Sequence, residues 1–236
     1  MSTLVGTVAA LARFPVKTMA GEAPEWIELD RRGVRHDRGW AVYLPDGAIA
    51  SGKSTRRFRK VPGLLGWRSA LGPDGTPMLY DPAGTGYRAG EPAADAALTE
   101  AFGRPLALRP EGAVPHHDDA GLHLVTTGSL AAAGELAGGR IDPRRTRANL
   151  VVDTAGAAGF VEEGWHGELA VGAEAVLSLG PGMPRCAMID QPQHAVPRGV
   201  PLLRELGRQR DLLLGLQAEV RRPGTVRLGD EVRLLG

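Results

Sequence analysis

Residues 4–11 alternate small and apolar side chains with neither a charge nor a capping residue, a pattern that predicts a strand. The following Arg13-Phe14-Pro15-Val16-Lys17-Thr18 reads as a loop, because Pro15 lacks an amide proton and disfavours helix at the residue before it. Short strands are predicted at 26–29, 39–44 and 48–50, the last two joined by a hairpin turn at Pro45-Asp46-Gly47. Further strands are predicted at 64–71, 77–80 and 106–109, each bounded by Gly, Pro or Asp. The first helix is predicted at 93–102, with Leu98, Ala101 and Phe102 on its apolar face and Gly103 and Pro105 as its stop.

The polar, proline-bearing stretch 111–121 reads as a linker, which divides the chain into an N-terminal domain, 1–110, and a C-terminal one, 111–236. Past it come a strand at 122–125, an Ala-rich helix at 130–136 capped by Thr127 or Ser129, and strands at 149–152, 169–171 and 175–179. The loop Gly180-Pro181-Gly182-Met183-Pro184 delivers Arg185 and Cys186, and a short helix is predicted at 202–206. Strands at 212–220 and 226–234, the latter broken by a Gly-Asp turn, would suit closure of a barrel.

Composition supports many short strands: Gly (33) and Pro (18) recur at short intervals through the 236 residues, leaving no room for long helices. Lys and Arg exceed Asp and Glu by one, so no global field draws nucleic acid or an anionic membrane, and any anion recognition is local. No stretch approaches the ~20 apolar residues needed to span a bilayer and no leader is evident, so a cytoplasmic protein is expected. The single cysteine, Cys186, excludes an internal disulfide or a cysteine-ligated cluster built within these residues. If electrons move, another protein must supply them.

A lone cysteine is ordinarily a small buried hydrophobe, but Arg185 beside Cys186 favours the thiolate, which is both nucleophile and soft metal ligand. Lys17 and Arg38 sit beside turn backbone and, at Thr18, a hydroxyl, the composition of an anion pocket; Arg56, Arg57, Arg59 and Lys60 read as a solvated face. His116-His117-Asp118-Asp119 has the residue types of a hard metal site, yet adjacent histidines point in different directions. Glu162 and Glu163 could serve acid–base chemistry but read as a solvated turn before Trp165. His194 follows Cys186 closely enough for a Cys–His pair, without the elbow or oxyanion motif of a hydrolase.

These segments together resemble a known family. Arg13-Phe14-Pro15-Val16-Lys17-Thr18 and Gly33-Val34-Arg35-His36-Asp37-Arg38-Gly39-Trp40 are similar to stretches of MOSC-domain proteins of the mitochondrial amidoxime reducing component type. So are Leu124-Val125-Thr126-Thr127-Gly128-Ser129-Leu130, Arg147-Ala148-Asn149-Leu150-Val151-Val152, Phe160-Val161-Glu162-Glu163-Gly164-Trp165 and Arg185-Cys186, so that the resemblance spans nearly the whole chain. It implies a mainly β protein with a few short helices, a MOSC β-barrel core and an N-terminal β-barrel-like domain. It further implies molybdenum cofactor of the molybdopterin type, with Cys186 on the metal. Lys17, Thr18 and Arg38 would surround the pterin phosphate, and Thr126, Thr127, Ser129, Arg147 and Asn149 would contribute from the C-terminal half. Asp190 would orient substrate or relay protons, against the plainer role of a turn residue before Pro192. The implied activity is reduction of an N-hydroxylated or N-oxide small molecule, with electrons from a separate ferredoxin or flavin-reductase type protein. Two alternatives stay open: a sulfur carrier using a Cys186 persulfide, and a cofactor-binding protein without turnover. Two departures are visible: Thr18 where the family usually has Ser, which keeps the hydroxyl, and Ala148 where it has Pro.

Overall fold

The computed structural model describes residues 1–196 and 199–236. The chain opens with β1 (Ser2–Leu11) and continues through β2 (Trp26–Asp30), β3 (Gly33–Val34), β4 (Trp40–Tyr43), β5 (Ile49–Ser51) and β6 (Phe58–Lys60). A 3-10 turn at Leu64–Gly66 precedes β7 (Arg68–Leu71), so the strand expected over 64–71 forms only in its second half. Next come β8 (Pro77–Tyr80), β9 (Gly86–Arg88), helix α1 (Pro92–Phe102) and β10 (Ala107–Pro110). Gly103 ends α1 in the left-handed conformation that a glycine adopts without steric cost.

The second half contains β11 (Leu122–Thr126), α2 (Thr127–Ala137), β12 (Leu150–Asp153), β13 (Glu168–Val171), β14 (Ala175–Pro184), α3 (Leu203–Gln209), β15 (Leu213–Arg222), β16 (Gly224–Arg227) and β17 (Glu231–Leu235). Seven strands close a barrel in the order β1-β12-β11-β15-β14-β13-β17. The tail does close it, as the pattern suggested: β17 lies antiparallel between β13 and β1. Strand pairing crosses the division at 110/111, because β1 is a stave of the barrel paired with β12 and β17. Likewise β16 leaves the barrel to extend β2 and β3. The remaining strands form the sheets β10-β4-β5-β6 and β7-β8-β9 around a second core.

Side-chain alternation explains how the barrel is covered. In β11 Leu122 and Leu124 point into the barrel core while Val125 points outward, and β12 repeats this with Leu150 and Val152 against Val151. The outward set packs on Leu130 of α2 and Leu206 of α3, so these strands are apolar on both faces. The loop expected at 180–184 is the bulged end of β14, where register with β15 slips between Leu179 and Gly182 and again between Gly182 and Pro184. Bulges tolerate the glycines and prolines that argued against a strand there. No helix among the described residues is long and apolar enough to cross a membrane.

The stretch 111–121 has no regular structure but is no slack linker. Its end crosses β3 so closely that a Cβ on Gly33 would lie 2.2 Å from the Gly121 carbonyl oxygen, and one on Gly121 would lie 2.3 Å from that of Arg32. Arg32 holds its start through two bonds to Glu111, at 2.7 and 2.5 Å.

Candidate functional site

The loop after β1, the turn before β4, the end of β5, the 117–120 segment, the turn before β12 and the end of β14 converge on one cavity of about 250 Å³. Its walls carry five cationic side chains, Lys17, Arg38, Lys53, Arg147 and Arg185, against two carboxylates, Asp118 and Asp119. Cys186 lines the same cavity, half-buried and unbridged, between β14 and a 3-10 turn at Ala187–Asp190.

Three of the wall residues are non-glycines with positive φ: Thr18 at 74°, Arg38 at 52° and Arg147 at 54°. A β-branched residue there is a steric outlier, and strain of this kind persists only where surrounding structure enforces it. The enforcement is visible. The Thr18 hydroxyl donates to the Ala50 carbonyl at 3.3 Å, the Arg38 amide to the Phe14 carbonyl at 2.7 Å, and the Arg147 amide to the Arg144 carbonyl at 3.1 Å.

The cations are held from behind. Lys17 Nζ donates to the His116 carbonyl at 2.7 Å, pairs with Asp118 and sits 4.7 Å above the Phe58 ring. Burial pulls its pKa down to about 8, despite the pull of Asp118 in the other direction. Lys53 Nζ reaches the other Asp118 oxygen at 2.7 Å. Burial opposes ionisation of Asp118, but Lys17 and Lys53 more than offset it and hold the carboxyl at about 2. Arg38 pairs with the fully buried Asp37, whose second oxygen accepts the Phe14 amide at 2.7 Å. Arg38 and Arg147 both lie over the Phe14 ring, at 4.9 and 4.2 Å. Arg147 donates to the Met19 carbonyl at 2.8 Å, and burial together with the nearby Arg38 lowers its pKa to about 9. Arg185 donates to the Thr146 carbonyl at 2.6 Å, burial lowers its pKa to about 10, and among the described residues its Nε has no partner. Asn149 ties the wall together, accepting from the His123 amide and donating to the Ala12 carbonyl.

Of the residues picked out in the sequence, Lys17, Thr18, Arg38, Arg147, Asn149 and Cys186 are brought together here. Thr126, Thr127, Ser129 and Asp190 are not. Thr126 Oγ1 accepts the Ser129 amide at 3.0 Å, so Thr126 caps α2 in place of the expected Thr127 or Ser129. Thr126 and Ser129 hydroxyls both donate to Glu162 Oε2 at 2.6 Å, and Thr127 donates to Asp153 at 3.0 Å. Glu162 is therefore a buried anchor and no solvated turn. The Asp190 carboxylate accepts the Leu202 and Leu203 amides, at 2.8 and 3.1 Å, which satisfies the start of α3. His194 lines a different, apolar cavity beside Leu11 and Phe14.

Sequence reading gave no role to Lys53 or Asp37, and weighed His117 and Asp118 only as ligands of a hard metal site, in a segment read as a linker. Lys53 stands just before the basic run read as a solvated face. Asp37 had a usable signal in its place directly before Arg38. Among the described residues no cluster of three or more His, Cys, Asp or Glu could hold a metal by itself. The donor set suits a different group. An anion would satisfy the surplus of buried N–H donors, and a soft metal on that anion would meet the one sulfur nucleophile in the chain.

Comparison with known proteins agrees in extent with this two-part site. Residues 5–98 match the MOSC N-terminal beta barrel domain and residues 111–233 the MOSC domain. The solved structure of the YUAD protein from Bacillus subtilis is similar in fold, with a TM-score of 0.52 at 15% identity, covering 99% of this chain and 95% of that one. YiiM from Geobacillus stearothermophilus is similar over 50% of this chain and 55% of its own, at 12% identity and a TM-score of 0.34. No curated protein matches the sequence. With both family regions matched on either side of the cavity, the chain belongs to the MOSC domain family, which is associated with binding of molybdenum cofactor.

Proposed function

We propose that the protein is a molybdenum-cofactor-dependent reductase of N-hydroxylated or N-oxide small molecules. The observation that carries this reading is the convergence of buried cations with Cys186 in one cavity. Lys17, Arg147 and Arg185 all have pKa values lowered by burial, so an anion placed among them would restore what desolvation removes.

Lys17, Arg38 and Arg147 would present N–H donors to the pterin phosphate, with the Thr18 hydroxyl beside them. Cys186, directly after Arg185 in the cavity wall, would hold the metal through its sulfur. The cofactor, when bound, supplies two-electron reduction with removal of oxygen. The overall reaction balances as R–NH–OH plus two electrons and two protons giving R–NH₂ and water. The N–O bond breaks and the external donor is oxidised; one of the two protons goes to the nitrogen and the other leaves with the hydroxyl oxygen as water. Met183, Pro184 and Met188 give the cavity its apolar wall, against which the body of such a substrate would rest.

The test is molybdenum and pterin content of protein made in a cofactor-producing host, beside Cys186→Ala, with anaerobic dithionite-driven reduction of an N-hydroxylated amidine. Stoichiometric molybdenum and turnover in the wild type, both lost in the variant, are expected. Absence of metal and pterin from the wild type would refute the reading, and a persulfide on Cys186 in that case would favour sulfur transfer.

A further inference from the structure

Residues 53–60, Lys-Ser-Thr-Arg-Arg-Phe-Arg-Lys, place five cations in eight positions without a carboxylate, in a chain whose net charge is only +1. The segment runs from the turn after β5 through β6 and begins in the cavity wall, because Lys53 lines the Cys186 cavity. Its charges then divide by direction. Lys53 and Arg57 turn inward, Lys53 to Asp118 and Arg57 to the carbonyls of Pro115 and His117. Arg56, Arg59 and Lys60 are exposed. Among the described residues no carboxylate pairs with Arg56 or Lys60, and Arg59 meets only the exposed Asp46, at 3.6 Å. Phe58 is buried beneath, with Lys17, Lys53 and Arg57 within 4.7 to 5.4 Å of its ring, and so fixes the inner cations to the cavity wall.

We infer that this loop is the docking face for an acidic electron-donor protein. The inference rests on the reductase reading above. Two observations select that partner. The patch is continuous with the wall of the Cys186 cavity, so a protein seated on it approaches the place where electrons are needed, and one cysteine gives the chain no relay of its own. The patch is also small and has no exposed aromatic side chain, since its one ring is buried, which disfavours a nucleic-acid surface built on stacking. An acidic protein presents complementary charge over an area of this kind and is steered to it by the local field.

The experiment compares wild type with Arg56→Glu/Arg59→Glu/Lys60→Glu, and with the neutral Arg56→Gln/Arg59→Gln/Lys60→Gln as a check on loop folding. Binding of an oxidised, acidic [2Fe–2S] ferredoxin is measured calorimetrically at low salt, and anaerobic turnover is driven in parallel by the reduced ferredoxin or by dithionite. Charge reversal should weaken ferredoxin binding at least ~10-fold, with a smaller loss for the neutral variant and a flatter salt dependence in both. Dithionite-driven turnover should match wild type. Unchanged ferredoxin binding after reversal, or no binding by wild type, overturns the proposal. So does equal or tighter wild-type binding to duplex DNA or to phosphatidylglycerol vesicles. Loss of dithionite turnover in wild type would sink the reductase reading, whereas the binding isotherms judge the docking face separately.

Discussion

Replacing Lys17 by Met should stabilise the cofactor-free protein while removing its capacity to hold the cofactor. The Lys17 pKa falls from the ordinary 10.5 to about 8 on folding, which corresponds to ~3 kcal/mol against the charged form at neutral pH. That figure already contains the attraction of Asp118. Methionine keeps the apolar stem against Phe58 and deletes the buried charge, but leaves the His116 carbonyl short of a donor, a loss of about 1 kcal/mol. Asp118 retains Lys53 as its partner. A net gain of ~1–2 kcal/mol should remain, raising Tm by about 3–6 °C for a chain of this size. The pH dependence supplies a second reading. Between pH 8 and 10.5 the unfolded chain keeps a proton on Lys17 that the folded chain has shed, so wild-type stability gains from Lys17 as pH rises through that window. The difference between wild type and variant should shrink over the same range. Urea unfolding of both proteins at several pH values, with molybdenum and pterin content measured beside it, makes the comparison. A Lys17→Met protein less stable than wild type at pH 7, or a difference constant with pH, would refute the electrostatic account.

Asp190→Ala removes the acceptor of two amides at the start of α3 and should lower stability by ~1–2 kcal/mol in urea, with molybdenum content and turnover retained; loss of turnover in a fully loaded variant would restore a catalytic role. Thr126→Val deletes both the α2 cap and a hydroxyl donor to buried Glu162, for a destabilisation of about 2–3 kcal/mol, and a smaller change than ~1 kcal/mol would argue against that network. Thr18→Gly relieves a β-branched residue at φ 74° and should stabilise the fold by a net ~1 kcal/mol, read as a Tm rise of about 2–4 °C, while weakening pterin retention through loss of the hydroxyl.

What could be read in the sequence follows from how local each signal is. The strand at 122–125, the first helix with its Gly103 stop, and the closing strands of the tail are set by patterns within ten residues, and all appear. The membership of β1 in the C-terminal barrel depends on pairings with Asp153 and Leu235, more than 140 residues away, and no local pattern carries it. The site divides in the same way. Lys17, Arg38 and Cys186 announce themselves by charge, turn context and the lone thiol. The role of Asp118 exists only because 111–121 folds back over the loop after β1, and composition made that segment resemble a linker. The hydroxyls of Thr126 and Ser129 show the converse: correct chemistry in a shared motif, spent on a buried carboxylate that was itself mistaken for a surface turn.

Several unfavourable features of the molecule meet at the cavity. Thr18, Arg38 and Arg147 hold left-handed backbone, Lys17, Arg147 and Arg185 hold charge where burial opposes it, and Arg185 Nε lacks a partner among the described residues, all around the same cavity. A sequence selected only for folding would relieve these with glycine at the strained positions and apolar residues at the charged ones, as Lys17→Met and Thr18→Gly would show. The N-terminal half supports cations of both halves: the Asp37 carboxylate and Phe14 ring brace its own Arg38, while the Met19 carbonyl braces Arg147 of the C-terminal half. A bound anion would therefore satisfy donors carried by both halves at once, and its binding free energy would appear as stability of the contact between them. On this account the strain and the uncompensated charge are two parts of a single preorganised receptor, in which ordering of the site is completed before the ligand arrives.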